Sequence, residues 1–267
     1  EPGGASSGAT NMQLTAVVQG GDVVLDGPKG WATGIGHPGC EGLIVMGLTD
    51  PDAPKHARHS MVLVPRDTPG VKIERMLDTM GFFDEPFGHS EVSFTDVRVP
   101  VSNIIAGPGR AFEIAQGRLG PGRVHHAMRM IGLAERALHL ACERGLARTA
   151  FGKPLADLGG NRERIAEARI AIDSARLLIL DAAWKLDTVG AGGAQSEVSA
   201  IKVAAPNVAQ QVIDFAMQIH GGGGLSSDFP LAGAWTAARA VRLADGPDEV
   251  HKSVVARMEL GKHGATR

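Results

Sequence analysis

The chain has 267 residues, with 27 Lys+Arg against 29 Asp+Glu and a formal net charge of −2, which argues against a polybasic nucleic-acid or membrane-surface protein. Hydrophobic residues make up 43%, too many for a wholly disordered chain and enough for one large or two small cores, and no apolar run approaches the roughly 20 residues that span a bilayer. Two cysteines, Cys40 and Cys142, cannot build a disulfide scaffold or a four-cysteine zinc site.

The opening Glu1-Pro2-Gly3-Gly4-Ala5-Ser6-Ser7-Gly8 has neither an initiator Met nor the regions of a signal peptide, and reads as a loop inside a domain. The next hundred residues read as β. Short apolar runs (Val17-Val18, Val23-Val24-Leu25, Leu43 to Met46, Met61 to Val64) recur between turn signals, and Val92, Phe94, Val97 and Val99 stand among polar neighbours. Gly20-Gly21-Asp22 reads as a hairpin turn, and this strand spacing suggests a barrel or sandwich.

After about residue 105 the period changes. Ala127, Ile131, Ala134, Leu138 and Ala141 recur at steps of three and four. Ile165, Ala168, Ile172, Ala175, Ile179, Ala182 and Leu186 do the same, as do Ile201, Ala205, Val208, Val212, Phe215 and Ile219. Three such seams predict a bundle. Pro121, Gly159-Gly160 and Gly190 to Gly193 interrupt them, which favours a compact bundle over one long coiled coil. A last helix is expected near Asp245-Gly246-Pro247-Asp248-Glu249, where Pro and acidic residues suit a first turn. The expected organisation is α+β: a β domain over 1–104, then a helical domain over 105–267 that forms a four-helix bundle.

Four segments carry chemistry, each with a plainer alternative. Lys29-Gly30-Trp31-Ala32-Thr33-Gly34 offers a surface to a planar ligand, or is a hairpin with an edge Trp. Arg148-Thr149-Ala150-Phe151-Gly152-Lys153-Pro154-Leu155 offers a guanidinium to a phosphate, or is a helix C-terminus with a Gly/Pro stop. The glycines after Gln218-Ile219-His220 permit close approach to a ligand, or cap a helix before a flexible loop. Ala244-Asp245-Gly246-Pro247-Asp248-Glu249 offers a carboxylate base, or is an N-cap. His37 and Cys40 lack a complete metal-ligand set, so no metal is expected. His125-His126 read as surface or packing residues on a helix, and His56 and His59 as solvated.

In order and spacing these segments resemble an acyl-CoA dehydrogenase, a flavoprotein, over its C-terminal two-thirds. The opening is similar to that family's T-E-P-x-x-x-S loop, the first of the four segments to K-x-W-I-T-N/G, the second to R-x-x-F-G-K-P-L and the third to Q-x-x-G-G. The resemblance implies FAD as cofactor. Trp31 and Thr33 match flavin contacts, and Arg148 and Phe151 match residues reaching FAD across a subunit interface. Gln218, Gly221 and Gly222 match the loop over the adenosine-diphosphate half, and Glu249 counts with the cofactor residues. Ser6 matches a CoA contact; Arg123 and Gly246 belong beside the acyl-CoA site.

Asp245-Gly246-Pro247 aligns with the family's E-G-T, so Asp245 is the expected base, one methylene shorter than Glu. A shift on the order of 1 Å can cost about 10²-fold. Pro247 lacks the hydroxyl of the family's Thr. The implied reaction is α,β-dehydrogenation of an acyl thioester in fatty-acid β-oxidation, with the α-proton going to Asp245 and the β-hydride to the flavin. The thioester oxygen meets a flavin hydroxyl and the backbone N–H of the base residue, and desolvation by the acyl chain raises the base's pKa. D-G-P-D-E-V-H resembles a branch linked to longer-chain and 4-hydroxyacyl-CoA substrates. Alternatives are a nitroalkane oxidase-like flavin oxidase, a non-catalytic FAD-binding homologue and an inactive fragment. Implied partners are an acyl-CoA, an electron-transfer flavoprotein or similar acceptor, and further copies of the chain in a homodimer or homotetramer. The implied location is cytoplasmic in a bacterium, and mitochondrial or peroxisomal in a eukaryote.

Overall fold

The structure is a computed structural model and describes residues 1–5 and 7–264; Ser6, an expected CoA contact, lies outside the described residues. The chain divides into two compact units, Glu1–Gly117 and Arg118–Arg267. The order is α+β as expected: a sheet, then helices.

The first unit holds β1 (Thr15–Gln19), β2 (Asp22–Thr33), β3 (Gly42–Leu48), β4 (His59–Pro65), β5 (Val71–Leu77) and β6 (His89–Pro100). They form one six-stranded sheet in the order β4-β3-β1-β2-β6-β5. Gly20, at φ +65°, turns β1 into β2, and the antiparallel register runs from Thr15↔Asp26 to Gln19↔Asp22. Along β6, Ser90, Val92 and Phe94 are buried, and then the inward phase jumps to Val97 and Val99. The jump is a bulge: Leu25 pairs with Val97 and Gly27 with Phe94, so Thr95 and Asp96 oppose Asp26 alone. Asp96 takes φ +47°, and its N–H donates to Asp26 Oδ1 at 2.8 Å. Leu14, Val23, Leu25, Val45, Val62 and Val64 complete this core.

The second unit contains most of α1 (Ala111–Ala147), then β7 (Thr149–Ala150), β8 (Lys153–Pro154), α2 (Asn161–Gly193), α3 (Gln195–His220), α4 (Leu231–Val241) and α5 (Asp248–Lys262). The three seams read from sequence, apart from Leu186, belong to its core, and the first two alternate large and small residues so that backbones approach closely. Two details differ from expectation and one agrees. Pro121 does not break a seam: it lies inside α1, where the backbone bond it forgoes is the one to Gly117, at the division between the units. Gly190, at φ +72° and ψ 176°, interrupts the helical path of α2 at a kink, as its glycine run suggests. Among the described residues the α-helices number five, because α4 follows the third seam. Among the described residues no helix is long and apolar enough to cross a membrane.

Candidate active site

Asp245 sits in the six-residue connection between α4 and α5. It is not an N-cap: that position belongs to Pro247, and no side chain caps α5. Asp245 and Gly246 take φ +55° and +104°, a left-handed path that an Asp tolerates at a cost and a Gly accepts freely. Side chains from three helices grip the carbonyls of this path. Arg123 on α1 donates to the Asp245 carbonyl through Nε and Nη2, each at 3.1 Å. His251 Nε2 on α5 approaches the same oxygen at 3.2 Å. Lys202 on α3, 1% exposed, donates to the Gly246 carbonyl at 3.2 Å and to that of Val241. Burial pulls the Lys202 pKa down to about 8, although Asp245 and Asp248 oppose the shift. Asp248 is buried behind this loop, where its Oδ2 accepts from Arg242 Nε at 2.9 Å and Asn207 Nδ2 at 3.2 Å.

The Asp245 carboxylate itself points toward α1. Arg118, Gly122 and His126 lie on one face of that helix at steps of four. The carboxylate packs against the Gly122 turn, where a Cβ would stand in ordinary van der Waals contact, 3.8 Å from Asp245 Oδ2. His126 Nε2 is 3.2 Å from the same oxygen. That is ion-pairing distance without hydrogen-bond alignment, so Oδ2 is buried with no aligned donor. The His126 contact, with help from Arg118 and Arg123, holds the Asp245 carboxyl below its usual range against the opposing effect of burial.

Trp31 and Thr33 lie at the end of β2, at a second bulge: Lys29 pairs with Val92 and Ala32 with Ser90, so Gly30 and Trp31 oppose Glu91 alone. Trp31 takes φ +55° there and its indole is 59% exposed. Thr33 Oγ1 stands 3.0 Å from His89 Nδ1, and the His89 ring is 5.6 Å from the Trp31 ring. Lys29 of the same motif is an anchor instead: its Nζ meets Glu1 Oε1 at 2.7 Å, while Glu1 also accepts from the N–H groups of Gln13 and Leu14.

Arg148 and Phe151 flank α1's end. β7 and β8 form a two-residue hairpin with Phe151 and Gly152 at φ +52° and +77°, the turn geometry that favours Gly at its second position. Phe151 is 95% exposed, and the Arg148 side chain is exposed with no ion pair among the described residues. Gln218 is exposed in the last turn of α3. Gly221 caps that helix at φ +63°, and nothing lies within 4 Å of a Cβ built at Gly221 or Gly222. This loop is not loose: His220 is buried, its Nδ1 bonds the Ala216 carbonyl at 2.7 Å, and its ring packs edge-on against Phe229. Glu249 is exposed in the first turn of α5.

Residues 1–97 match the family description "Acyl-CoA dehydrogenase, middle domain", and residues 109–260 match "Acyl-CoA dehydrogenase, C-terminal domain". The chain belongs to the acyl-CoA dehydrogenase family. It is 51% identical over 97% of its length to mouse "Acyl-CoA dehydrogenase family member 11", of which it spans 34%. A solved structure described as a putative acyl-CoA dehydrogenase from Mycobacterium abscessus shares 72% identity at a TM-score of 0.97, and this chain spans 65% of it. A third, titled "FAD complex of PigA", shares 25% identity at a TM-score of 0.87 over 67% of that chain.

Within this chain of the acyl-CoA dehydrogenase family, three of the described residues that sequence motifs single out share a property. Trp31, Phe151 and Asp245 each hold a left-handed backbone that non-glycine residues avoid. An exposed indole beside a hydroxyl, a free guanidinium and an open glycine turn offer stacking, phosphate and close-approach surfaces, which suits a flavin dinucleotide. Among the described residues no group of three or more metal-ligating side chains exists. Sequence reasoning missed His126, read as a surface or packing residue, because helical periodicity does not reveal what faces it across 119 residues of chain. It also missed Lys202 and His251. Lys202 did leave a signal: it is the single charge in α3 from Val198 to Ile213.

Proposed function

We propose that the protein is an FAD-dependent dehydrogenase that oxidises an acyl-CoA thioester between its α- and β-carbons, with Asp245 taking the α-proton. The observation that carries this reading is the Asp245 carboxylate, held on a left-handed turn whose carbonyls are bound by Arg123, His251 and Lys202. A turn secured from three helices keeps the base within the tolerance that proton abstraction demands. When bound, FAD accepts the hydrogen and electron pair leaving the β-carbon. The α-hydrogen leaves as a proton to a carboxylate oxygen of Asp245, and the balanced product is the α,β-unsaturated thioester. Arg123 and His251 take the Asp245 carbonyl, and the Asp245 N–H would face the thioester oxygen on which charge develops.

As described, the carboxyl sits below its ordinary pKa and is a weak base. An acyl chain that expels water strengthens the desolvation that already opposes His126, and moves the base toward neutrality. Trp31, Thr33, Arg148, Phe151, Gln218, Gly221, Gly222 and Glu249 would hold FAD; Arg123, Gly246 and, by its motif, Ser6 would serve the acyl-CoA. An electron-transfer flavoprotein or similar acceptor would reoxidise the cofactor. The vacant surroundings of Arg148 and Phe151 support assembly with a second copy, as a homodimer or homotetramer. Asp245→Asn in the full-length holoenzyme is expected to retain FAD by absorbance and to lose at least about 10³-fold in the rate of flavin bleaching by acyl-CoA. Near-normal bleaching would refute the assignment.

A further inference from the structure

Asp245 has a neighbour that no motif assigns. Arg129 Nη2 is hydrogen-bonded to His126 Nδ1. A guanidinium only donates, so Nδ1 is the acceptor and the ring's own proton lies on Nε2, toward Asp245 Oδ2 at 3.2 Å. The three groups form a chain: Arg129 on the exposed side of α1, His126 half-buried, and a carboxylate oxygen that is buried with no aligned hydrogen bond. Gly122, one turn before His126, lies against the same carboxylate oxygen.

We propose that Arg129 and His126 form a positioning relay for Asp245: Arg129 fixes the imidazole tautomer, and the imidazole fixes Oδ2, so that Oδ1 is the oxygen presented to the substrate's α-carbon. This rests on the reading of Asp245 as the base. An Asp is a shorter arm than Glu with the same rotational freedom at its end, so a donor on one oxygen selects which oxygen reacts. The alignment left open at 3.2 Å is typical of a ligand-free site and tightens when substrate excludes water. Neither His126 nor Arg129 exchanges a proton with substrate in this scheme. The relay operates among other charges that face the carboxylate: Arg118 and Arg123 from α1, Lys202 from α3, and Asp248 and His251 from α5. His125 lies beside the relay, 6.4 Å away ring to ring.

The test separates deprotonation from oxidation. A 3-thiaacyl-CoA has sulfur in place of the β-carbon, so its α-protons can exchange with D2O but no β C–H can be lost. Exchange is followed by NMR in the full-length holoenzyme, with FAD content and ligand affinity measured alongside. His126→Leu is expected to slow exchange about 10- to 100-fold at unchanged FAD content and affinity, and to move the acid limb of the pH profile upward, because Asp245 loses its donor. His126→Gln, whose amide can reach Oδ2, is expected to recover to within about threefold. Arg129→Met, at an exposed position, keeps the fold and is expected to slow exchange about 3- to 10-fold. Wild-type exchange and an unmoved acid limb in His126→Leu, with Asp245→Asn inactive, would overturn the relay and leave the base assignment standing. Normal exchange in Asp245→Asn would overturn both.

Discussion

Asp245 and Phe151 adopt nearly the same backbone conformation, φ +55° and +52°, for opposite reasons. The Asp245 turn is imposed from outside: Arg123, His251 and Lys202 bind its carbonyls from three helices. The Phe151 turn is local: a two-residue hairpin between β7 and β8 holds it, and the ring is left 95% exposed. Strain that neighbours over-determine fixes a side chain relative to its own unit, as catalysis requires. Strain confined to a hairpin tip displays a side chain to something the chain itself does not supply. Substitutions should therefore separate the two regions, with large effects on stability in the first and small ones in the second.

The sharpest way to break the first region is Gly246→Ala. Its φ of +104° is open to glycine alone, and an added Cβ would stand 2.9 Å from His251 Nε2, a buried ring that cannot move aside. Strain and displacement together are expected to cost on the order of 3–4 kcal/mol, read as a fall in the urea midpoint with an unchanged m-value. A midpoint within experimental error of wild type would show that the clamps follow the loop rather than impose it.

Acid probes the same clamp more gently. Burial, with Arg123 nearby, pushes His251 down to about 4 from 6.5. Between these values the unfolded chain binds the proton and the folded chain does not, so the stability this neutral ring contributes is complete above pH 6.5 and is lost as pH falls toward 4. The loss is at most about 3 kcal/mol, and Asp245, also lowered, adds its own at more acid pH. Urea midpoints at pH 7 and pH 5 measure the slope. His251→Gln is expected to flatten it, and an identical slope would assign acid sensitivity elsewhere.

The helical rows were legible because apolar residues recur at three and four over many turns, and all three rows, apart from Leu186, belong to the core. The β6 bulge was not read from Val92, Phe94, Val97 and Val99, although the apolar phase changes between Phe94 and Val97. Helix α4 was not legible, since Leu-Ala-Gly-Ala-Trp-Thr-Ala-Ala-Arg-Ala-Val spans only 11 residues and follows a Pro that reads as a loop. In the site, Asp245 and Arg123 were reached by motif, but their contact spans 122 residues of chain and depends on how helices pack. His126 was hidden for the same reason. Local patterns report which face of a helix is apolar, and they carry no information on which polar residue meets another across a bundle.

The second region is sharpened by substitutions expected to leave the fold almost unchanged. Arg148→Ala removes a guanidinium with no ion pair among the described residues, and Phe151→Ser removes a ring that buries almost nothing in its own chain. Each is expected to shift the unfolding midpoint of the FAD-free protein by no more than about 0.5 kcal/mol equivalent. The same changes should lower FAD retained after gel filtration, Arg148→Ala more, because a charge-assisted bond to phosphate is lost rather than an apolar contact. Arg148→Lys keeps the charge but not the fork, so it should fall between wild type and Ala. Full FAD retention in Arg148→Ala would mean that the hairpin displays its side chains to another partner. A large loss of stability without FAD would mean that its exposure is not the resting state of the protein.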